Sequence, residues 1–598
     1  MIHSELRKGE ILMTLPVFLR KIDEETKRMT KAQLAEFLHD YARTLPECQR
    51  DAFLMRMAGS EHLSSIKDEM AISPNLDERI AFFDRVQAGE LHLRAEINEE
   101  YDDWYAQDDE EYLWEDPDDI IGAVEASIAD VHACIDQEMF EQAWRLSEKI
   151  LSMRITVDGE YDYANGEPLS LEGLDNHGLL TVDDDTLLET FQLDALVAAF
   201  LACTGEERCK ALFQTIGRRG LGDSSFEQVI THSPVELPGV QEFLSEWIDF
   251  LGNISGLRAG ELICEAILLT DSKELRLEAA RKFANTHPGL YVQLFATNPD
   301  KLTPRELLEL GETALREIDP SIRLRSKVAL QTAEVALSLG KREDTERLWL
   351  EALISDPSMT NYLRLSTESE DFSKYKAEAV AVCRAYRERT GREEFKKEVF
   401  WNPLEKDHSG YYYEKNNAVS LAFFCRDYKY VLEMLGEKGG SGWILGYSRM
   451  GIALLLLYMY ASDTLQKGSM EMCRSIVFNT EFTAKKYSEG LAAVEEEEDA
   501  ACFWRVFQRW REIEKPTKCE TEKLMQHVED AINVHTDDII RGDRRKQYGE
   551  CALYIAALGE VMESQGIGTK QDMLMVYHDK YPRRTALHRE LRNYGMRG

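Results

Sequence analysis

From Asp183 almost to its C-terminus, this chain returns apolar residues every three or four positions and never settles into strand-like alternation. Such a pattern gives each helix one apolar face, which must find neighbours along its whole length. Pro238, Pro288, Pro304, Pro320 and Pro357 punctuate the run, as expected where a proline closes one helix and opens the next. With only 15 prolines in 598 residues, and with Leu, Ala and Glu abundant, an all-α fold with almost no sheet is expected. The length exceeds one ordinary core and suits about three or four domains, or one extended array.

The clearest unit runs from Ser326 to Pro357. Two helices cross closely only where a small residue sits at the contact. Ala333 takes that place on the first helix and Ala352 on the second. Gly340 breaks the pair, Trp349 fills the core between pairs, and Pro357 stops the unit. These offsets resemble the tetratricopeptide repeat, with Thr345 where that repeat usually has alanine. Two weaker relatives place Phe140 with Ala143, and Tyr428 with Val431, at the spacing of the repeat's aromatic and small residues. The resemblance implies an α-solenoid of stacked helix pairs, an architecture whose long surface binds protein or peptide.

Charge is distributed very unevenly. Between Ala95 and Glu207 only Arg145, Lys149 and Arg154 are basic, against 32 Asp and Glu, so this stretch carries −29 of the total −38. It repels phosphate backbones and attracts basic protein surfaces. Trp104, Tyr105, Tyr112, Leu113 and Trp114 are interleaved with the acids, whereas purely solvating tails have few aromatics. The residues expected to meet a partner are Trp104, Asp108, Asp109, Glu110, Glu111, Tyr112 and Trp114. Arg583 and Arg584 join them from a basic C-terminal cluster that also holds Arg589 and Arg592, all four expected on one helix. The alternatives are a solvated acidic connection, and a helix-end charge bias at the arginines.

That C-terminal region, an Ala-rich helix from Tyr548, a short loop, then Tyr581-x-Arg583-Arg584-x-x-Leu587-x-x-x-Leu591, is similar to the helical ends of bacterial proteins related to the SWIM zinc-finger family. The finger of that family needs a CxC pair with a downstream CxH. Neither stands in this sequence, so the resemblance carries over no metal site and no nucleic-acid role.

Other chemistry was sought by spacing. The glycine cluster from Gly436 matches no phosphate-binding loop and reads as an inter-helix connection. GYSRMG from Gly446 has Met450 where a nucleophile elbow needs glycine, so Ser448 reads as a helix-start residue. His527 and His535 could share a helix face but lack a flanking acid–His pattern. Counting back from Gly166 puts Tyr163 and Tyr161 where a calcium loop needs oxygen ligands. No catalytic residue, cofactor or metal is therefore expected. The 11 cysteines form no CxxC pair and are odd in number, which reads as reduced thiols in a reducing compartment. The N-terminus has no apolar signal core, and the most apolar run, Ile452–Tyr460, is far shorter than the ~20 residues that span a bilayer, so a cytoplasmic location is expected.

The division expected is a helical cap over 1–94, an acidic helical segment with a Gly/Asp-rich loop over 95–182, a helical-repeat solenoid over 183–515, and a C-terminal helical segment over 516–598. The function expected is that of a cytoplasmic scaffold or adaptor for another protein with a basic surface. An acidic decoy for a nucleic-acid-binding protein, and an enzyme whose site is assembled from scattered residues, remain as alternatives. An open groove lined by aromatics would favour the scaffold, acids at DNA-like spacing on a rigid face the decoy, and converging His, Asp and Glu the enzyme.

Overall fold

In the computed structural model, residues 76–97, 112–159, 168–180, 186–218, 224–391, 409–435, 446–492 and 497–597 are described. Within them the helical periodicity of the sequence becomes helix almost throughout. Two units separate. One comprises residues up to Asp130 with Met153–Gly166, the other Val131–Ser152 with Glu167 onward, so the acidic stretch contributes to both. Of the helical cap expected over 1–94, residues 1–75 lie outside the described residues.

Among the described residues, the three-stranded sheet lies in the first unit. β1 (His92–Ile97) lies between β2 (Tyr112–Glu115), antiparallel to it, and β3 (Thr156–Gly159), parallel to it. Ala95 faces Trp114 across one pair, and Leu93 faces Val157 across the other. A helical acidic segment was expected here. Tyr112 and Trp114 of β2 and Thr156 and Val157 of β3 are of the aromatic and β-branched types that favour strands, and Leu93 and Ala95 of β1 are fully buried. Gly159, at φ +103°, sits so close to β1 that a Cβ would run into the Ala95 carbonyl oxygen. The helix Leu76–Gln87 buries Phe83 and Val86 in the same unit, and its Arg79 reaches Asp130 at 2.9 Å.

In the second unit, helices pack on their successors. Val240–Gly252 lies on Leu257–Leu269, Pro304–Glu317 on Arg325–Ser338, and that helix on Arg342–Ser355. Next-but-one neighbours also touch, as Gly289–Thr297 does with Arg325–Ser338, and Arg342–Ser355 with Ser373–Thr390. Such packing makes an all-α helical-repeat solenoid.

The Ser326–Pro357 unit is a helix pair, Arg325–Ser338 packed on Arg342–Ser355. Ala333, Ala352 and Trp349 are fully buried. Gly340 takes φ +70°, and the N–H of Lys341 returns to the Ala336 oxygen at 2.9 Å, which closes the first helix. Thr345 fits where alanine was expected because its hydroxyl bonds the Lys341 oxygen one turn back, at 3.0 Å, so its burial leaves nothing unpaired. Proline punctuation also holds: Pro304 follows the Thr303 capping box, and Pro357 precedes the Ser358 cap of Met359–Glu368.

The helix Asp499–Ile513 buries Phe503, Phe507 and Trp510 in an aromatic core with Phe423, Phe424 and Tyr458, where Phe424 and Trp510 stand edge to face at 4.8 Å. Glu560 is fully buried and caps Lys467–Asn479, accepting from the N–H groups of Gly468 at 2.9 Å and Ser469 at 2.6 Å, with Lys570 Nζ at 2.7 Å. Among the described residues no helix is long and apolar enough to cross a membrane.

Candidate functional site

The acidic segment is the first candidate. Of its expected contact residues, Trp104, Asp108, Asp109, Glu110 and Glu111 lie outside the described residues. Tyr112 and Trp114 stand on one face of β2, half-buried, with ring centroids 6.0 Å apart. Leu113, on the other face, is 55% exposed. Glu115 stays open to water and only loosely meets Arg94, at 3.7 Å.

Several acids of the segment have structural tasks that a charge count does not reveal. Asp116 accepts from the N–H groups of Ile120 and Ile121, both at 2.8 Å, and so starts the helix Ile120–Asp136. Asp118 accepts from the main-chain N–H of His92 at 3.1 Å, and Asp158 lies 3.3 Å from the His92 ring.

The arginines divide. Arg583 and Arg584 precede the helix Thr585–Asn593 rather than sharing it with Arg589 and Arg592, a correction to the one-helix placement. The segment Tyr581–Arg584 turns, and its turn bond runs from the Arg584 N–H to the Tyr581 oxygen. Arg584 is engaged, donating to Asp543 at 2.6 Å and to the Ile540 oxygen at 3.1 Å, which satisfies the end of Lys518–Arg541. Arg583 is exposed.

A second candidate was not foreseen. Asp194, on the helix Thr186–Ala202, is buried and takes a histidine on each oxygen. His132 Nδ1 lies 2.8 Å from one and His232 Nε2 2.7 Å from the other. Their N–H groups hold the Asp194 carboxyl below its usual range against the opposing effect of burial, and Asp194 raises the His132 imidazole. His132 is half-exposed, and the buried carboxylate holds its ring through Nδ1. The three residues are separated by 62 and 38 positions, so no local motif announces them.

The third candidate is a groove of about 790 Å³ along the first turns of Lys518–Arg541. Ile567 and Met525 line it together with Arg511, Lys518, Glu522 and Glu529, while Tyr458 and Tyr460, which also border it, are buried. The remaining sequence candidates do not converge. Ser448 is buried and gives its hydroxyl to the Met434 oxygen at 2.6 Å. His535 is buried while His527 is exposed, bonded to its own helix at the Lys523 oxygen. No cluster of three or more His, Cys, Asp or Glu among the described residues could hold a metal ion.

No protein-family model matches the chain, and no curated protein matches it. The likenesses to the tetratricopeptide repeat and to SWIM-related proteins therefore rest on sequence offsets alone. Among solved structures, a circular tandem repeat protein with novel repeat topology and enhanced subunit contact surfaces is 14% identical, over 79% of this chain and 94% of its own, with a TM-score of 0.14. At that score the two backbones do not superpose.

Proposed function

We propose that this chain is a protein-binding scaffold of the cytoplasm that acts by docking rather than by catalysis, with tetratricopeptide-like helix pairs as its framework. The observation that carries this reading is the groove of about 790 Å³ beside Met525 and the exposed Ile567, with Arg511, Lys518, Glu522 and Glu529 in its lining, because an open groove that sets an apolar contact among charged groups suits a peptide segment. The acidic segment favours a partner with a basic surface, since complementary charge speeds encounter and selects orientation. Affinity capture from the host by the wild type, by Ile567→Glu and at raised salt tests it. Ile567 is 59% exposed, so the substitution leaves the core alone. A partner lost in the variant and weakened by salt supports the scaffold. A captured set unchanged by both treatments sinks it.

A second reading is favoured by the Asp194 centre. A half-exposed imidazole oriented by a buried carboxylate is the arrangement of a general base. Turnover of a hydrolytic substrate by the wild type, abolished in His132→Gln with the fold intact, would select this reading over the first.

A further inference from the structure

The helix Ser373–Thr390 packs against Ser409–Phe424, and each brings a cysteine to the seam. Cys383, on the first, is buried. Cys425 directly follows the second and is partly exposed. Both are free thiols, and their side chains meet beside Tyr362. Tyr362 is itself buried and donates its hydroxyl to the Phe424 oxygen at 3.2 Å. One turn beyond Cys383, Arg387 pairs with Asp427, two residues past Cys425, so the register of the seam is pinned next to the sulfurs.

We infer that Cys383 and Cys425 form a reversible disulfide when the protein meets a hydroperoxide, which makes this seam a redox modification site. Small buried thiols commonly serve only as apolar filling. Two of them in contact across packed helices, one reachable from solvent, offer more. The bond to Cys425, then burial, hold the Cys383 thiol protonated, so Cys383 is not the group that attacks first. Cys425, the more exposed of the pair, is the one that meets the hydroperoxide in this scheme. Its thiolate attacks the O–O bond, becomes a sulfenic acid, and releases hydroxide, which leaves as water (or as the alcohol of an organic hydroperoxide) with the proton that Cys425 gave up. The Cys383 sulfur then displaces the sulfenic hydroxyl, which takes the Cys383 proton and departs as water. Two thiols lose two electrons, and the peroxide bond gains them. In a reducing compartment the resting state is the thiol pair, and a thiol reductant restores it.

The experiment uses the purified full chain treated with hydrogen peroxide under native conditions, then alkylation, proteolysis and mass spectrometry. The expected product is a cross-linked peptide pair joining Cys383 to Cys425, lighter by two hydrogens and released by dithiothreitol. Cys425→Ser should remove the cross-link. Cys383→Ser should leave Cys425 as a sulfenic acid that dimedone traps. Circular dichroism of both variants checks that each still folds. The inference is overturned if Cys383 and Cys425 are both recovered alkylated while exposed Cys519 oxidises, or if dimedone labels Cys425 equally in the wild type and Cys383→Ser.

Discussion

The indole N–H of Trp349 donates to the main-chain oxygen of Gly490, 2.9 Å away and 141 positions further along the chain. Gly490 has φ +75°, and a Cβ there would stand 3.1 Å from the Leu330 oxygen. The repeat pair is thus tied to a distant turn whose left-handed glycine packs against Leu330. Trp349→Phe should leave a buried carbonyl unpaired and cost about 1–3 kcal/mol. Gly490→Ala should also destabilise, since the left-handed backbone alone costs about 1–2 kcal/mol. Denaturant unfolding of each variant checks both. An unchanged midpoint in Trp349→Phe would mean that the carbonyl finds water.

In the same pair, Ala333 is fully buried. Ala333→Leu should overpack the contact and cost about 1–3 kcal/mol. Thr345→Ala is the control, because it removes a hydroxyl already satisfied within its own helix and should change stability by less than Ala333→Leu. Comparable losses in the two variants would show that the crossing lies elsewhere.

These helices were legible because their signal is local. Apolar spacing, Pro304, Gly340 and the small residues at 333 and 352 each act within a turn or two. The sheet was not legible. Tyr112–Glu115 and Thr156–Gly159 are four residues each, sit amid acids, and become strands only by pairing with His92–Ile97. The Asp194 centre was hidden for the same reason, since three helices must fold before His132 and His232 meet one carboxylate. The acidity itself misled in part. Asp116 and Asp118 count only as charge in the sequence, yet Asp116 starts a helix and Asp118 anchors the main chain at His92.

The Asp194 centre should give stability a rounded pH dependence. The Asp194 carboxyl is depressed by its two histidine bonds, so its contribution is present above the unfolded value of 3.8 and is lost as pH falls through the folded value. The His132 imidazole is raised by Asp194, so its contribution is full below 6.5 and is lost as pH rises through the folded value. The two together are greatest between those limits. Unfolding midpoints of the wild type and His132→Gln, measured across pH 3 to 9 (about the range that brackets both groups), should differ most in that window and converge above it. A constant difference across the alkaline range would remove the imidazole charge from the account.

Glu560 offers a sharper test of a buried charge. It is fully buried, and it pairs with Lys570 while capping two N–H groups. Glu560→Ala strips the partner from a nearly buried ammonium and should cost about 3–5 kcal/mol. Pairing it with Lys570→Met should recover part of the loss, because the unpaired cation is then gone. Thermal denaturation of the single and double variants measures that recovery, and additive losses would contradict it.

The acidic segment should dock by charge and hold by burial. Exposed charges are felt over about 8 Å at physiological salt, so capture of a basic partner should weaken steeply as salt rises. Charge reversal across Asp108–Glu111 should lower the association rate, because rim charges act mainly on encounter. Trp114 works differently. Its ring stands beside Tyr112 on β2, half-buried, with Leu113 exposed on the opposite face, and covering such surface does not depend on salt. Trp114→Ala should therefore shorten the lifetime of the complex and leave the association rate near that of the wild type. Because Trp114 faces Ala95 across the strand pair, Leu113→Ser serves as a second variant that spares this packing. Surface binding kinetics at low and high salt separate the two effects. If charge reversal, Trp114→Ala and Leu113→Ser all bind as wild type at both salts, the segment is a solubilising connection, and the groove beside Tyr458 and Tyr460 carries the docking alone.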